Sequence, residues 1–324
     1  MRGPMESKFG LNLDEFHPSQ GGTAVALGFF DGVHRGHRAI LRTVQELART
    51  RGLEPIAFTF SNHPATLLAS ERVPDLLTDQ AERFALIESL GLRVVWMDFQ
   101  PDFSRIEAAE FARVFLQERL RARVVSVGPN YRFGHGARGD GGLLVSLAPD
   151  LGFEVIQVPG LESAGALVSS SRIRRLVGHG RMEEAAVALG RPYRVLGPVE
   201  AGDSRGAHLG TRTANLRIPE GRVVPATGVY AVWAGCLGNL RPGVANFGIR
   251  PTFGGGVPVL EVHLFDFKAD LYGRLLEVFM VSRLRDERRF PQAEDLQTQI
   301  GLDVALARAI LARSSKPESL VRLG

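Results

Sequence analysis

Two histidines, His34 and His37, flank Gly36 in the string GFFDGVHRGH (28–37), after an apolar run and before an amphipathic stretch. A strand, a glycine-bearing turn and a helix start, in that order, make a phosphate site. The helix N-terminus offers free N–H groups and a partial positive charge, and Gly36 lets the backbone approach a ligand closely. Paired imidazoles at such a point can hydrogen-bond phosphate oxygens as charge builds during a displacement. Two surface histidines beside a turn are the other reading of the same residues.

Four further clusters could carry chemistry. Asn62 and His63 precede Pro64, which holds His63 in extended geometry; the pair is aimed into a crevice or forms a turn. Asn130 and Arg132 open a stretch with glycines 134, 136 and 139 and the aromatics Tyr131 and Phe133. Such a loop can lie along a flat aromatic ring, or is a flexible surface loop. Ser169 and Ser170 stand before a helical pattern holding Arg172, Arg174 and Arg175. A capped helix start with arginines makes a triphosphate clamp, or a solvated basic face. Glu261 alternates with Leu260 and Val262 in VLEVHLFDF, which puts Glu261 and His263 on one strand face. A carboxylate on a rigid strand suits a general base; an exposed strand face is the alternative.

The elements that must position these groups fall into two halves. The 324 residues correspond to two domains at ~150 residues each. Up to about residue 160, strand-like runs (24–30, 55–60, 93–99, 123–128, 153–158) alternate with helical patterns (37–49, 79–90, 106–119, 142–151). In the first helix Ile40, Leu41, Val44, Leu47 and Ala48 share a face. The alternation predicts an α/β domain with a parallel sheet and helices on both faces, and ligands in such folds sit at the carboxyl ends of the strands. Each of the first clusters follows such an end. Ser171 to Gly190 reads as two short helices and a linker. Beyond it YRVLGPVEAG, GVYAVWAGCLG, VLEVHLFDF and LLEVFMVSRL are separated by Gly, Pro and Asn, which predicts an antiparallel β-barrel or sandwich. A last helix carries Leu296, Ile300, Val304, Leu306, Ala307 and Ile310 at helical spacing. The domain boundary is placed at 187/188.

At GFFDGVHRGH the chain resembles the HxGH nucleotidyltransferases, and more closely the bacterial bifunctional riboflavin kinase/FAD synthetases. The likeness continues through FTFSNHP (58–64), VGPNYRFGHGARGD (127–140), VSSSRIRRLVGHGRMEEAAVALGRPY (168–193), GVANFGIRPTFGG, LEVHLFDF and LYGRLLEVF. The resemblance implies a Rossmann-like adenylyltransferase domain (1–187) followed by a barrel riboflavin kinase domain (188–324). In the first it implies His34 and His37 as catalytic. It implies Gly28, Phe30, Asp31, Gly36, Ser169, Ser170, Arg172 and Arg174 at ATP, and Asn62, His63, Asn130, Arg132 and Phe133 at the flavin. In the second it implies Glu261 as the base for the ribityl 5′-hydroxyl, and Arg285 and Phe290 near the flavin. It also implies Gly206, Gly210, Thr213 and Asn215 at ATP, with Thr213 and Asn215 as oxygen ligands for Mg²⁺. The stretch GAHLGTRTANL (206–216) departs from the family's Gly-Arg-x-Leu-Gly-Phe-Pro-Thr-Ala-Asn at Ala207, Thr211 and Arg212.

The expected activities are phosphorylation of riboflavin to FMN and adenylylation of FMN to FAD, with ATP and Mg²⁺, and with riboflavin and FMN as substrates. Alternatives are an FAD synthetase with a decayed kinase loop, another HxGH adenylyltransferase with an accessory barrel, and a non-enzymatic RNA-binding protein. The basic residues are almost all arginine, Lys8, Lys268 and Lys316 excepted, but a net charge of +4 and no basic stretch interleaved with aromatics predict no nucleic-acid partner. No apolar run approaches the ~18–20 residues that span a bilayer, the N-terminus has no apolar signal segment, and Cys236 is the only cysteine. No membrane association, no disulfide framework and a cytoplasmic location are expected; an oligomer is compatible with the sequence.

Overall fold

The structure is a computed structural model, and it describes residues 10–68, 73–200, 213–236, 239–252, 255–267 and 269–319. Contacts divide the chain into two units, residues 1–170 and 171–324.

In the first unit β1 (Leu11–Asn12), β2 (Thr23–Leu27), β3 (Glu54–Phe60), β4 (Arg93–Met97), β5 (Ala122–Val127) and β6 (Glu154–Gln157) form one sheet in the order β1-β4-β3-β2-β5-β6. Every pairing is parallel. Helices cross between the strands, chiefly α1 (Arg35–Arg51), α2 (Gln80–Glu88) and α3 (Gly141–Leu151). TAVAL of β2 is buried at every residue, as a central strand covered on both faces requires. Its neighbours add Ile56, Phe58, Val125 and Val127 to the same core. On α1, Ile40, Leu41, Val44 and Ala48 are buried, while Leu47 is half-buried. Local side chains set the helix starts: Asp79 accepts from Glu82 N at 2.7 Å and Asp140 from Leu143 N at 2.9 Å, each satisfying an amide with no partner inside its own helix.

The topology sets the site. From β2 the chain builds β3 and β4 to one side and β5 and β6 to the other. The crevice where the order reverses, past the ends of β2 and β5, is where such sheets take ligands.

Two expectations are corrected and one strand was not foreseen. The first strand ends at Leu27, because Phe30 takes a left-handed backbone (φ 59°) that leaves the ladder. The helix expected from residue 106 starts at Ala108 and is π-helical over Phe111–Arg119. The edge strand β1 has two residues, too few to show a period.

The helix α4 (Ser170–Gly178) begins on the last residue of the first unit and otherwise opens the second, followed by α5 (Met182–Leu189). Strands β7 (Tyr193–Glu200), β8 (Ala214–Arg217), β9 (Gly228–Gly235), β10 (Arg241–Thr252), β11 (Gly255–Leu264) and β12 (Leu275–Arg285) close into an antiparallel barrel in the order β7-β8-β11-β10-β9-β12. Leu260 and Val262 of β11 stand opposite Leu216 and Ala214 on one side and Phe247 and Ala245 on the other, all buried; opposed residues share a face, and this one is the interior. The outer face carries Val229, Ala231 and Val244, on which α6 (Ala293–Leu311) packs Ala307 and Leu311 as a second core. Trp233 Nε1 donates to Ser314 Oγ at 3.0 Å, just past the helix end. Leu306, expected on the buried stripe, is 47% exposed: the stripe passes through Ala307, one position on.

Helix α5 packs on β7 and β12 and buries Met182, Ala185, Ala188 and Leu189. The contact division at 170/171 therefore assigns both helices to the barrel, whereas the sequence pattern changes at 187/188. Removing α5 withdraws about 3–6 kcal/mol of apolar burial, at ~1.5–3 per large side chain. A fragment 171–324 is expected to melt about 10 °C or more above a fragment 190–324, as circular dichroism on heating checks.

Candidate active sites

The segment after β2 turns by three left-handed residues, Phe30 (φ 59°), Gly32 (φ 80°) and Val33 (φ 38°). Positive φ is costly for a non-glycine residue, more so for a β-branched one, so something must hold the turn. The buried Asp31 carboxylate does: Oδ1 accepts from Leu77 N (2.9 Å), Thr78 N (3.2 Å) and Thr78 Oγ1 (3.3 Å), and Oδ2 from Leu77 N (3.2 Å). Thr78 Oγ1 in turn accepts from Gly32 N at 3.0 Å. Asp31, expected at ATP, thus fastens the loop to the segment before α2.

The turn delivers His34 to the start of α1. Its Nδ1 accepts from His37 N at 3.3 Å, making His34 the N-cap, so a neutral His34 carries its proton on Nε2, a donor. The two imidazoles stack at 3.6 Å and 18°, and Phe30 meets His37 edge-on at 5.4 Å. A side chain at Gly36 would stand 3.2 Å from His34 Cε1, so glycine leaves the capping ring its place.

A cavity of about 240 Å³ lies here, lined by Gly28, Phe30, His34, Gly36 and His37, by Asn130 and Tyr131 after β5, by residues 158–161 after β6, and by Ser169 and Ser170. Strand ends far apart in sequence thus converge on one polar rim with apolar walls. Ser170 Oγ donates to Asp31 O at 3.0 Å, so one of the two serines expected at ATP is bonded to the backbone of the loop that carries the histidines. Arg172 and Arg174 follow on α4.

The other expected flavin residues lie elsewhere. Asn62 is engaged with the backbone after β4, accepting from Phe99 N (2.7 Å) and donating to Phe99 O (3.0 Å). His63 Nδ1 accepts from Ala65 N at 3.1 Å, and its ring meets Phe29 edge-on at 4.6 Å. Arg132 is exposed and bonds Asp140 at 3.0 Å. Phe133 packs in the core beside Phe111 and Tyr131. None of the four lines the cavity; Tyr131, read from sequence as one of the loop's two aromatics, does.

In the second unit Glu261 sits at the centre of a polar row. Asn215 of β8 stands opposite it on one side and Asn246 of β10 on the other, so all three side chains share the barrel's outer face. A cavity of about 280 Å³ between that face and α6 is lined by Thr213, Asn246, Glu261, His263, Arg285, Phe290, Asp303 and neighbours. Arg285 is gripped by the buried Asp303 of α6, through Nη2 to Oδ2 at 2.7 Å and Nε to Oδ1 at 2.9 Å, and Gln299 donates to Asp303 at 2.9 Å. The guanidinium lies 5.9 Å from the Phe290 ring. Glu287 accepts from Asn246 Nδ2 at 3.4 Å; a Cβ at Gly248 would stand 2.6 Å from its Oε1, so a side chain there would shift that carboxylate.

Gly206, Gly210 and Arg212 lie outside the described residues. Among the described residues no group of three His, Cys, Asp or Glu could hold a metal ion. Thr213, Asn215 and Glu261 are hard oxygen donors at one place, a set that fits Mg²⁺ brought in on phosphate oxygens. Asn246, Glu287 and Asp303 were missed from sequence. Asn246 carried a signal, a polar residue at an outer-face position of an apolar strand; pairing Asp303 with Arg285 needs the packing of α6.

Family comparison assigns both halves. Residues 16–172 match the FAD synthetase family and residues 189–311 the riboflavin kinase family. The chain belongs to the bifunctional riboflavin kinase/FMN adenylyltransferases. The bifunctional enzyme of that name from Pseudomonas fluorescens is 38% identical over 305 residues, 94% of this chain and 97% of its own. That of Escherichia coli K12 is 36% identical over 291 residues (89% and 93%), and that of Bacillus subtilis 34% identical (88% and 91%). The fold also matches a crystal structure of a protein named macrolide-efflux protein from Streptococcus pneumoniae, with a TM-score of 0.84 and 29% identity over 93% of this chain and 99% of that one. Among the described residues here, no helix is long and apolar enough to cross a membrane. The riboflavin kinase match over the barrel replaces the accessory-barrel and RNA-binding alternatives.

Asp31 offers a direct test of how the loop before α1 is held. Asp31→Ala leaves buried Leu77 and Thr78 amides unsatisfied and is expected to cost about 2–3 kcal/mol; Asp31→Asn, which keeps one acceptor, is expected to cost about half that. Shifts in the urea midpoint at unchanged m-value check this.

Proposed function

We propose that the barrel unit phosphorylates riboflavin on its 5′-hydroxyl with Glu261 as general base, and that the α/β unit adenylylates the resulting FMN at the His34–His37 site. Family membership carries the two activities. The stacked histidine pair at a helix N-terminus, in a cavity at the sheet's reversal point, supports the second assignment. The row Asn215–Glu261–Asn246 beside Thr213 and Arg285 supports the first.

In the kinase reaction Glu261 takes the ribityl hydroxyl proton as the oxygen attacks the γ-phosphorus of ATP, and the bond to the β-phosphate oxygen breaks to release ADP. The carboxylate stands on a rigid strand with Asn215 and Asn246 opposite it on the neighbouring strands, so positioning accounts for much of its effect. Arg285, clamped by Asp303 and flanked by Phe290, holds a flat, charged surface for the flavin ring. Thr213 and Asn215 would hold Mg²⁺ with the ATP phosphates, and the ion supplies charge neutralisation there.

In the adenylyl transfer an FMN phosphate oxygen attacks the α-phosphorus of ATP and pyrophosphate leaves. FMN phosphate is already anionic, so no protein nucleophile is required. His34 donates from Nε2, while His37 and the amides at the start of α1 stabilise the charge that develops. Gly28, Phe30 and Gly36 shape the phosphate side; Asn130 lies on the flavin side of the same cavity, with Asn62, His63, Arg132 and Phe133 supporting the loops around it. Both reactions consume ATP, which supports a cytoplasmic place of action, with small molecules and not nucleic acid as partners.

Incubation with riboflavin, ATP and Mg²⁺, with chromatographic separation of riboflavin, FMN and FAD, tests both assignments. Glu261→Gln is expected to abolish most FMN formation while FMN-to-FAD conversion persists. FMN absent even from the unaltered protein at saturating ATP would mean that the altered loop at 206–212 has lost kinase function. His37→Ala is expected to lower FAD formation about 10²-fold, the loss of one preorganised donor, and to leave FMN formation near its original rate; equal loss of both would remove the two-site assignment.

A further inference from the structure

Arg83 of α2 is fully buried, and among the described residues it is the largest side chain so buried. Arginine is almost never fully buried unless paired. Its Nη2 donates to Phe60 O at 2.7 Å and Ser61 O at 3.3 Å, where β3 ends. Its guanidinium lies 4.0 Å from the Phe29 ring centroid and 5.4 Å from that of Phe84. Nε and Nη1 have no hydrogen-bond partner among the described residues. Burial pulls its pKa down to about 10, while the charges of Asp31 and Asp79 hold it up, so it stays a cation at neutral pH.

Such a group is a poor choice for stability alone. An apolar side chain of similar volume would fill the space with no donor left unmade, and replacements of that kind are often neutral or stabilising. What an arginine adds is direction: a planar fork that faces an aromatic ring while donating in its plane to carbonyls. The groups it joins are the two segments that follow β2 and β3 in the first unit. Phe29 belongs to the phosphate loop, one residue from the left-handed turn at Phe30. Phe60 and Ser61 lead directly into Asn62 and His63, and His63 rests on the same Phe29 ring.

We infer that Arg83 is a positioning residue for adenylyl transfer, a buried cation that locks the loop carrying His34 and His37, through Phe29, to the end of β3 so that the histidine pair keeps one place relative to the sheet. The inference rests on assigning FMN adenylylation to the first unit. Displacements near 1 Å in a two-substrate site are enough to cost catalysis heavily, and residues that lower stability while raising activity are expected at such points.

The test compares full-length wild type, Arg83→Met and Arg83→Lys for thermal midpoint, for kcat and KM of FMN adenylylation, and for riboflavin phosphorylation as the internal reference. Arg83→Met is expected to melt at or above the wild-type midpoint yet lose at least tenfold in adenylylation kcat, with riboflavin phosphorylation unmoved. Arg83→Lys, with the charge but not the fork, is expected to fall between. Wild-type adenylylation kinetics in Arg83→Met overturn the inference, as does a loss that affects both reactions equally and follows a lowered midpoint. If Arg83→Met is insoluble, Arg83→Lys decides: at an unchanged midpoint, a kcat at least threefold below wild type supports the lock and a wild-type kcat overturns it. Failure of the wild type to convert FMN to FAD overturns the underlying assignment before any variant is compared.

Discussion

A buried carboxylate must find donors, and in the first unit that need shapes the active site. Asp31 satisfies itself on the backbone before α2, and in doing so holds a turn whose φ angles few side chains adopt unaided. The turn's exit places His34 as the cap of α1, the cap fixes which ring nitrogen keeps its proton, and the stacking of His34 on His37 follows. Ser170 closes the arrangement from the far end of the unit by donating to the same residue's carbonyl. Removing any one of these links loosens those downstream of it, because each side chain is oriented by the one before.

The second site is built by register. Antiparallel pairing sets Asn215, Glu261 and Asn246 side by side on three strands, and a slip of one residue in any of them would turn its polar group into the barrel interior. The buried partners Leu260 and Val262 oppose that slip, since it would carry them to the outer face. The barrel core thereby enforces the alignment of the site outside its wall, and α6 supplies the opposite wall with Asp303 gripping Arg285.

Much of this was legible in the residues. Strand–helix alternation gave the parallel sheet, and the change of rhythm gave the barrel, because periodicity reports which faces are buried. The histidine pair stands after β2 at the start of α1, as the local pattern predicts, and Glu261 on the strand face opposite to Leu260 and Val262. What escaped depended on long-range pairing. Phe133 looked like a stacking platform because an aromatic in a glycine-rich loop has no local mark of burial, yet it fills the core beside Phe111. Asp31 looked like a ligand because nothing in GFFDGVH shows that Leu77 and Thr78 lie beside it. The left-handed Phe30 ended a strand early, an outcome that no propensity of phenylalanine contains.

The chain's two tryptophans are Trp96 and Trp233, one in the β4 strand of the sheet and the other on the barrel against the end of α6. Each half thus carries its own intrinsic fluorophore, and the second is bonded to the segment that follows the helix walling the Glu261 cavity. Emission from a Trp96→Phe protein reports on the barrel and the seating of that helix alone, and emission from a Trp233→Phe protein on the sheet alone. The optical record of one polypeptide can therefore be split into two without cutting the chain.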